Sequence, residues 1–380
     1  MGYKTFVINP GSTSTKLAYF DDETKLFEAN VFHDAPELLK FEHVRDQFEF
    51  RLGVILDFLK EKNIDLNGVD AIVGRGGGFH TVEGGTYEIN DLMYEHTRTG
   101  VTVIDHPCML GVPLAKALQD RFGGRAFVVD STNIDELQDL ARITGVDGYY
   151  RRSADHPLNQ KGTIRKHCKE HGTRYEDGNY ICCHIDGGTS ITAHRKGKMI
   201  DTTCPGLGSG AFSPTRIGFL EVATVFEILK DYDMKDLAKM CTRAGGFVSY
   251  FGTSDSDYVH GLKEQGDAKA DLVWRAMVYQ ICKNIGSMAT VLEGKVDAII
   301  LCGGLMRFDD ILQQIKQQCE WIAPVYSYPG EVEHEAMAAG ALRVLRGEET
   351  PKVYTGVPIF TGFAWETAEE RGRRMDDDVI

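Results

Sequence analysis

The sequence is short of several features, and each shortage narrows the field. It has no Cys-x-x-Cys pair; its nine cysteines are scattered and odd in number. They read as reduced, mostly buried thiols of a cytosolic protein rather than as a disulfide framework. Cys182 and Cys183 are adjacent in an apparent strand, so their side chains should point to opposite faces. The histidines show no metal-ligand spacing, and no zinc site is expected. No apolar run is long enough to span a bilayer. There is no secretory pattern, since Met1-Gly2 leads straight into a strand, and Phe6 stands where a myristoylation motif needs Ser or Thr. A cytoplasmic location is therefore expected. Basic residues are outnumbered, 42 to 56, for a formal net charge of -14. That disfavours a general nucleic-acid binder or a protein held on anionic membrane. It leaves room for a small anionic substrate, because local arginines can override net charge. The nucleotide loop G-x-x-x-x-G-K-[ST] is also missing.

What is present is an ordinary globular composition, 42% hydrophobic and 26% charged, over 380 residues. That length exceeds one usual core and predicts two domains. The chain is organised around Phe6–Phe20, which reads strand, tight turn, strand. The turn holds Gly11, Ser12, Thr13, Ser14 and Thr15 and leads to Lys16. Gly11 allows close backbone approach to an anion, the hydroxyls add donors and Lys16 adds charge. The same residues also suit a plain hairpin turn, and this stretch alone leaves both readings open.

Similar punctuation recurs. The spacing predicts a helix over Glu37–Lys62, then a buried strand, Val69–Val73, ending in Gly74-Arg75-Gly76-Gly77-Gly78. Ligands of α/β folds gather at strand carboxyl ends, which makes Arg75 a candidate anion ligand rather than a loop arginine. Ala126–Asp130 is another strand, followed by a predicted helix start with Asn133 as N-cap and Glu136 three residues on. Tyr180–Ile185 runs into Asp186-Gly187-Gly188-Thr189-Ser190 and a returning strand, which hints at an internal duplication. The Gly/Ser/Pro-rich stretch Asp201–Arg216 is long enough to predict a functional loop. A further strand ends in Gly303-Gly304, and the last helix is predicted over Glu333–Leu345. The tail from Gly347, which finishes in Asp376-Asp377-Asp378, is expected to be partly disordered or to drape over the body.

Two glycine turns can hold the phosphates of one nucleotide and the third its adenosine. Carboxylates at Asp130 and Glu333 can fix a magnesium ion, directly or through water. Arg75 and Arg216 can hold an anionic acceptor or offset charge in transfer. Phosphoryl transfer needs those parts, and their ordered set is more specific than any one of them.

With these motifs in place the sequence resembles the butyrate kinase branch of the acetate kinase group, within the actin-like (sugar kinase/heat-shock 70/actin) superfamily. The matches are V-I-N-P-G-S-T-S-T-K at Val7–Lys16, G-R-G-G at Gly74–Gly77, E-G-G-T-Y at Glu83–Tyr87, L-N-Q-K at Leu158–Lys161, F-S-P at Phe212–Pro214, G-K-V-D-A-I-I-L at Gly294–Leu301 and G-A-L-R-V-L-R-G-E-E at Gly340–Glu349. The resemblance implies an α/β fold of duplicated actin-like, ribonuclease H-like domains with a nucleotide cleft between them. It divides the chain into residues 1–150 plus 333–380, on the phosphate and acyl side, and 151–332, for nucleotide and dimer contacts. It implies that Asn9, Ser12 and Ser14 line the phosphate and metal site with Lys16, and that Asn9 and Glu333 serve magnesium. Arg75 and Arg216 would flank the acyl carboxylate and the moving phosphoryl, Asp130 would position substrate, and His156 would donate to the transition state. From the sequence alone His156, beside Asp155 and Pro157, reads as a helix cap, and it is the family position that reverses this. Gly187, Gly188, Gly303 and Gly304 would approach the nucleotide.

The implied reaction converts ATP and a short-chain carboxylate, butyrate or a branched acid, into ADP and an acyl phosphate, reversibly and with Mg2+. A homodimer is implied, with Glu221–Leu292 at the contact. The alternative is an actin-like nucleotide-dependent scaffold or regulator without acyl kinase chemistry. Three departures from the family pattern stand out. Asp186 stands where a glycine usually lets phosphate come close, Met109 replaces an asparagine, and the loop Ser209–Arg216 loses two glutamates.

Overall fold

The computed structural model describes residues 2–101 and 106–370. The chain divides into two compact units, Met1–Asp135 with Val332–Ile380, and Glu136–Glu331. The sequence placed the first boundary near 150; the contacts divide the chain after Asp135.

The first unit is built on six strands: β1 (Lys4–Pro10), β2 (Ser14–Asp21), β3 (Thr24–Phe32), β4 (Ala71–Gly74), β5 (Thr86–Glu88) and β6 (Arg125–Val129). Their order is β3-β2-β1-β4-β6-β5. The first three form an antiparallel meander, β4 lies parallel to β1, and β6 parallel to β4. Three helices support this sheet: α1 (Phe48–Glu61), α2 (Gly111–Phe122) and, from the far end of the chain, a helix over Glu333–Leu345. Strand alternation assigns the faces. Ile72, Ala126 and Val128 share a core with Val112, Leu114 and Leu118 of α2. Val129 points the other way, against Gly340 of the last helix. A sheet covered on both faces explains why β1, β4 and β6 read as unbroken apolar runs.

The second unit repeats the plan. Strands β7 (Asn179–Ile185), β8 (Thr189–Arg195), β9 (Lys198–Thr202), β10 (Ala298–Gly303) and β11 (Val325–Pro329) take the order β11-β10-β7-β8-β9. Again a meander is followed by two parallel strands. The predicted duplication is thus present in topology. Helix α3 (Pro157–His171) covers one face, while α4 (Ala268–Val291) and α5 (Asp309–Cys319) cover the other. Cys182 packs with the first group and Cys183 with the second, on opposite faces as their adjacency predicts. All nine cysteines are free thiols, and only Cys241 is not buried. The helix over Glu333–Leu345 is α6; it packs on β1, β4 and β6.

Two local expectations are corrected. The helix predicted over Glu37–Lys62 is broken: a short turn of helix at Ala35–Leu38, a 3-10 turn at Val44–Gln47, then α1. The backbone N–H of His43 donates to Asp46 (3.1 Å), which starts the chain afresh there. Asn133 caps no helix. Its amide donates to the Phe79 carbonyl (2.7 Å), and Ile134 bridges to Val82, so tertiary contacts replace the cap. The tail drapes over the first unit as far as Ile359, whose N donates to Thr81 Oγ1 (3.1 Å). Lys352 N bonds the Thr86 carbonyl (2.8 Å), and buried Tyr354 meets His80 N and His96 Nδ1 (3.1 and 2.8 Å). Asp376–Asp378 lie outside the described residues. No described helix is long and apolar enough to cross a membrane.

Candidate active site

In the first unit, candidate residues collect at the carboxyl ends of three adjacent parallel strands. Asn9 is near the end of β1, Arg75 follows β4, and Asp130 follows β6. Glu333, the first residue of α6, joins them. Its buried carboxylate accepts from Asn9 Nδ2 (2.7 Å) and Arg75 Nη1 (2.5 Å), and Arg75 Nη1 also reaches Asn9 Oδ1 (3.3 Å). A carboxylate in the first turn of a helix is favoured by the helix dipole, which fixes Glu333 there. Asp130 is buried with φ +39°, and Gly85 N donates to its Oδ1 (2.8 Å). Lys16 sits on β2 directly opposite Asn9, and Ser12 is exposed in the turn between the two strands. Met109 is buried in the apolar core, against Gly78 of the loop that carries Arg75.

The turn itself rests on a residue that the sequence reading passed over. Arg51 of α1 is fully buried. Its Nη1 donates to the carbonyls of Gly11 (2.8 Å) and Ser14 (3.2 Å) and to Thr15 Oγ1 (3.3 Å). Its Nε and Nη2 both donate to Gln47 Oε1 (3.0 and 2.8 Å). No carboxylate pairs with it among the described residues, and burial pushes its pKa down to about 10. His33, which meets Thr15 Oγ1 at 2.9 Å, is pushed down to about 4 by burial and then by Arg51. The signal was available: Arg51, Ile55 and Leu59 share one helical stripe, and all three are buried. A charge on an apolar stripe marks a buried charge that has to find partners.

In the second unit the L-N-Q-K motif forms the start of α3 and explains itself residue by residue. Leu158 is buried. Asn159 Nδ2 meets His184 Nδ1 (2.9 Å) and Cys302 (3.4 Å). Gln160 Nε2 donates to Ser190 Oγ (2.7 Å), and Lys161 forms a buried ion pair with Glu136 (2.8 Å). His156 makes no side-chain cap to α3, although it precedes the helix. Instead its Nδ1 meets Ser190 Oγ (2.9 Å), and its ring stacks on His184 with centroids 4.0 Å apart. Beside it, Asp155 Oδ2 accepts from Thr202 (2.7 Å) and Thr192 (3.2 Å). Burial still pushes that carboxyl up to about 6.

Gly187 and Gly188 form the turn between β7 and β8, and Gly303-Gly304 the turn after β10, which lies parallel to β7. The loop predicted over Asp201–Arg216 pins the first of these. Ser213 Oγ (2.6 Å), Thr215 Oγ1 (2.7 Å) and Thr215 N (3.2 Å) all donate to the Gly187 carbonyl. Thr215, at one of the lost glutamates, is thus part of the turn. Arg216 lies over the turn, its Cζ 2.6 Å from where a β-carbon on Gly188 would stand, so a side chain there would push the guanidinium aside. Its guanidinium has no hydrogen bond or carboxylate partner among the described residues, and burial lowers its pKa. Ligating atoms of His184, Asp186 and Glu331 lie within 4.8 Å of one another.

Each unit therefore places glycines, hydroxyls and a desolvated arginine around the turn at the end of its first strand. Oxygen donors at Asn9 and Glu333 match the hard-cation preference of magnesium. Arg216 is a half-buried cation whose Nε has no partner among the described residues.

Comparisons with known proteins agree with these features. A model described as the acetokinase family matches residues 151–315. Over 356 residues the chain is 43% identical to a probable butyrate kinase of Clostridium botulinum (strain Alaska E43), which spans 93% of this chain and all of the relative. A probable butyrate kinase of the Eklund 17B strain gives the same figures. Among solved structures, the acetate kinase of Porphyromonas gingivalis superimposes with TM-score 0.72 at 17% identity, over 90% of this chain and 100% of that one. A propionate kinase of Francisella tularensis gives 0.69 at 18%, over 89% and 98%. At such identities the likeness is one of fold, and it is the actin-like two-unit α/β fold.

Proposed function

The chain belongs to the acetokinase family, and from that premise we propose the reaction it catalyses. It is an ATP-dependent carboxylate kinase. An oxygen of a short-chain carboxylate attacks the γ-phosphorus of ATP, the bond from that phosphorus to the β–γ bridging oxygen breaks, and ADP leaves. The product is an acyl phosphate, and the reaction runs in both directions. The observation that carries this reading is Arg216, a desolvated guanidinium packed on the Gly188 turn with no counter-charge of its own. A guanidinium partly withdrawn from water without a partner is favoured by an incoming anion.

We assign Arg216 and Arg75 to the charges of the acyl carboxylate and the moving phosphoryl group, which guanidinium geometry suits. Asp130 positions the acceptor, and His156, held by Ser190 and stacked on His184, donates to the developing charge. Asn9, Ser12, Ser14 and Lys16 receive phosphate on the first turn; Gly187, Gly188, Gly303 and Gly304 approach nucleotide on the second unit. Asn9 and Glu333 would hold magnesium, which when bound offsets phosphate charge. The preferred acid is butyrate or a branched relative. Its support is the likeness to butyrate kinases along the chain and the apolar Met109 beneath the loop of Arg75.

Hydroxamate trapping across carboxylates from acetate to branched five-carbon acids tests this reading. The expected result is a maximum at butyrate or a branched acid. Background signal for every acid, with nucleotide still bound, would leave a nucleotide-dependent scaffold instead. We further place the protein in the cytoplasm as a homodimer. The helix Val222–Asp231 buries none of its residues and exposes Val222 and Phe226, which a second copy would cover. Light scattering should then give the mass of two chains; a single-chain mass at micromolar protein would contradict it.

A further inference from the structure

Asp186, the residue that departs from the family's glycine, directly follows β7 and has both carboxylate oxygens engaged. Oδ1 accepts from Gly187 N and Oδ2 from Gly304 N, each at 2.7 Å. Backbone donors from two separate turns thus converge on one anionic group. Two oxygens of a phosphoryl group would use the same pair of donors, because converging N–H groups form an anion nest whatever the anion.

The surroundings hold this arrangement in place. The Gly187 carbonyl accepts three bonds from Ser213 and Thr215, and Asp186 N donates to the Gly188 carbonyl at 3.2 Å. Gly303 and Gly330 exchange backbone bonds at 2.9 and 3.0 Å, which fixes the second turn. Gly303 has φ +99°, and a β-carbon there would meet the Ile185 carbonyl at 2.4 Å, so the two turns approach as closely as glycine permits. The Gly304 amide shares its peptide with the Gly303 carbonyl and cannot turn without breaking the bond from Gly330 N. The aspartate side chain, with two rotatable bonds, can move. Glu331 brings a second carboxylate into the same cluster, so the local charge is already negative.

We propose that Asp186 is a resident anion in the second unit's phosphoryl site, an internal competitor that a polyphosphate must displace to bind. The proposal rests on the kinase reading for the identity of that polyphosphate, a nucleoside diphosphate or triphosphate. A glycine at this position leaves both amides to the ligand, whereas aspartate occupies them in the free protein. Asp186 therefore sets nucleotide affinity, and sets it low.

Calorimetric titration of the full chain with magnesium-ADP, and separately with metal-free pyrophosphate, tests this in wild type, Asp186→Gly and Asp186→Asn. Replacing a charge-assisted pair of bonds by none should tighten both ligands at least about tenfold in Asp186→Gly. Asp186→Asn keeps the size but offers one acceptor oxygen, and should fall between. Unchanged thermal melting in either variant keeps the comparison clean if the other folds poorly. Equal or weaker binding of both ligands in both variants would overturn the proposal. If ADP binds to no form of the protein but pyrophosphate still tightens in Asp186→Gly, the nucleotide reading fails and the role of Asp186 stands.

Discussion

The turn after β1 is propped from beneath by a cation, Arg51, whereas the turn after β7 holds a carboxylate, Asp186, and carries its cation, Arg216, on top. The two turns hold equivalent places in sheets whose order matches over five strands, β3-β2-β1-β4-β6 against β9-β8-β7-β10-β11, with β5 an addition in the first. In the first, Arg51 draws the Gly11 and Ser14 carbonyls inward. In the second, Ser213 and Thr215 draw the Gly187 carbonyl away while the neighbouring amides serve Asp186. Topology supplies the turn in both units, and its polarity comes from side chains distant in sequence. Both arginines lie under or over a turn without a carboxylate, which is costly unless hydrogen bonds or a ligand compensate. Arg51 is compensated by the protein, whereas the Arg216 guanidinium has no hydrogen-bond partner among the described residues.

The sharpest break in this comparison comes from Arg216→Ala. If Arg216 is completed by the reacting anions, turnover should fall on the order of 10³-fold or more while nucleotide affinity stays nearly unchanged. Arg216→Lys should rescue poorly, because one ammonium cannot reproduce a planar fork. Steady-state kinetics with parallel calorimetry separate the two quantities, and turnover within a few-fold of wild type would remove Arg216 from the reaction.

A smaller effect, on stability, is expected from Arg51→Met. It strips donors from the carbonyls of Gly11 and Ser14 and from Gln47, at a cost of roughly 3 kcal/mol. Urea unfolding should show that loss. An unchanged midpoint would mean that the first turn supports itself.

The smallest effect concerns Asp155, at the foot of the second unit's site. Its folded-state pKa is raised from 3.8 to about 6, so the native chain takes up this proton before the unfolded one does. The charged form burdens the fold above about pH 6, and that burden lifts as pH falls from 6 towards 3.8. Asp155→Asn should then raise Tm at pH 8, by up to about 2 kcal/mol of stability, and change little at pH 4. A gain independent of pH would point to packing instead of charge.

Much of this was legible in the sequence, for identifiable reasons. Buried parallel strands appear as apolar runs, and a turn packed against backbone needs glycine, so Val69–Val73, Tyr180–Ile185 and Val296–Cys302 stood out with their glycines. The last helix, Glu333–Leu345, was read to its ends because its period is unbroken. Arg51 was missed because helical periodicity was counted from apolar residues alone. Asn133 was taken as a cap because local pattern carries no knowledge of the Phe79 carbonyl that claims it. The pairing of Glu333 with Asn9 and Arg75 joins residues 324 and 258 positions apart, and no local pattern encodes it. Asp186 was legible as a departure, but its two amide partners were not, since Gly304 comes from another strand.

The central claim, that this chain moves phosphoryl groups between ATP and a short carboxylate, is most directly tested by phosphorus NMR of the wild-type protein with magnesium-ATP and butyrate. The account predicts an acyl-phosphate resonance that grows in step with ADP and reverses when ADP is added in excess. ADP and free phosphate without any acyl phosphate, or ATP left intact, would contradict it.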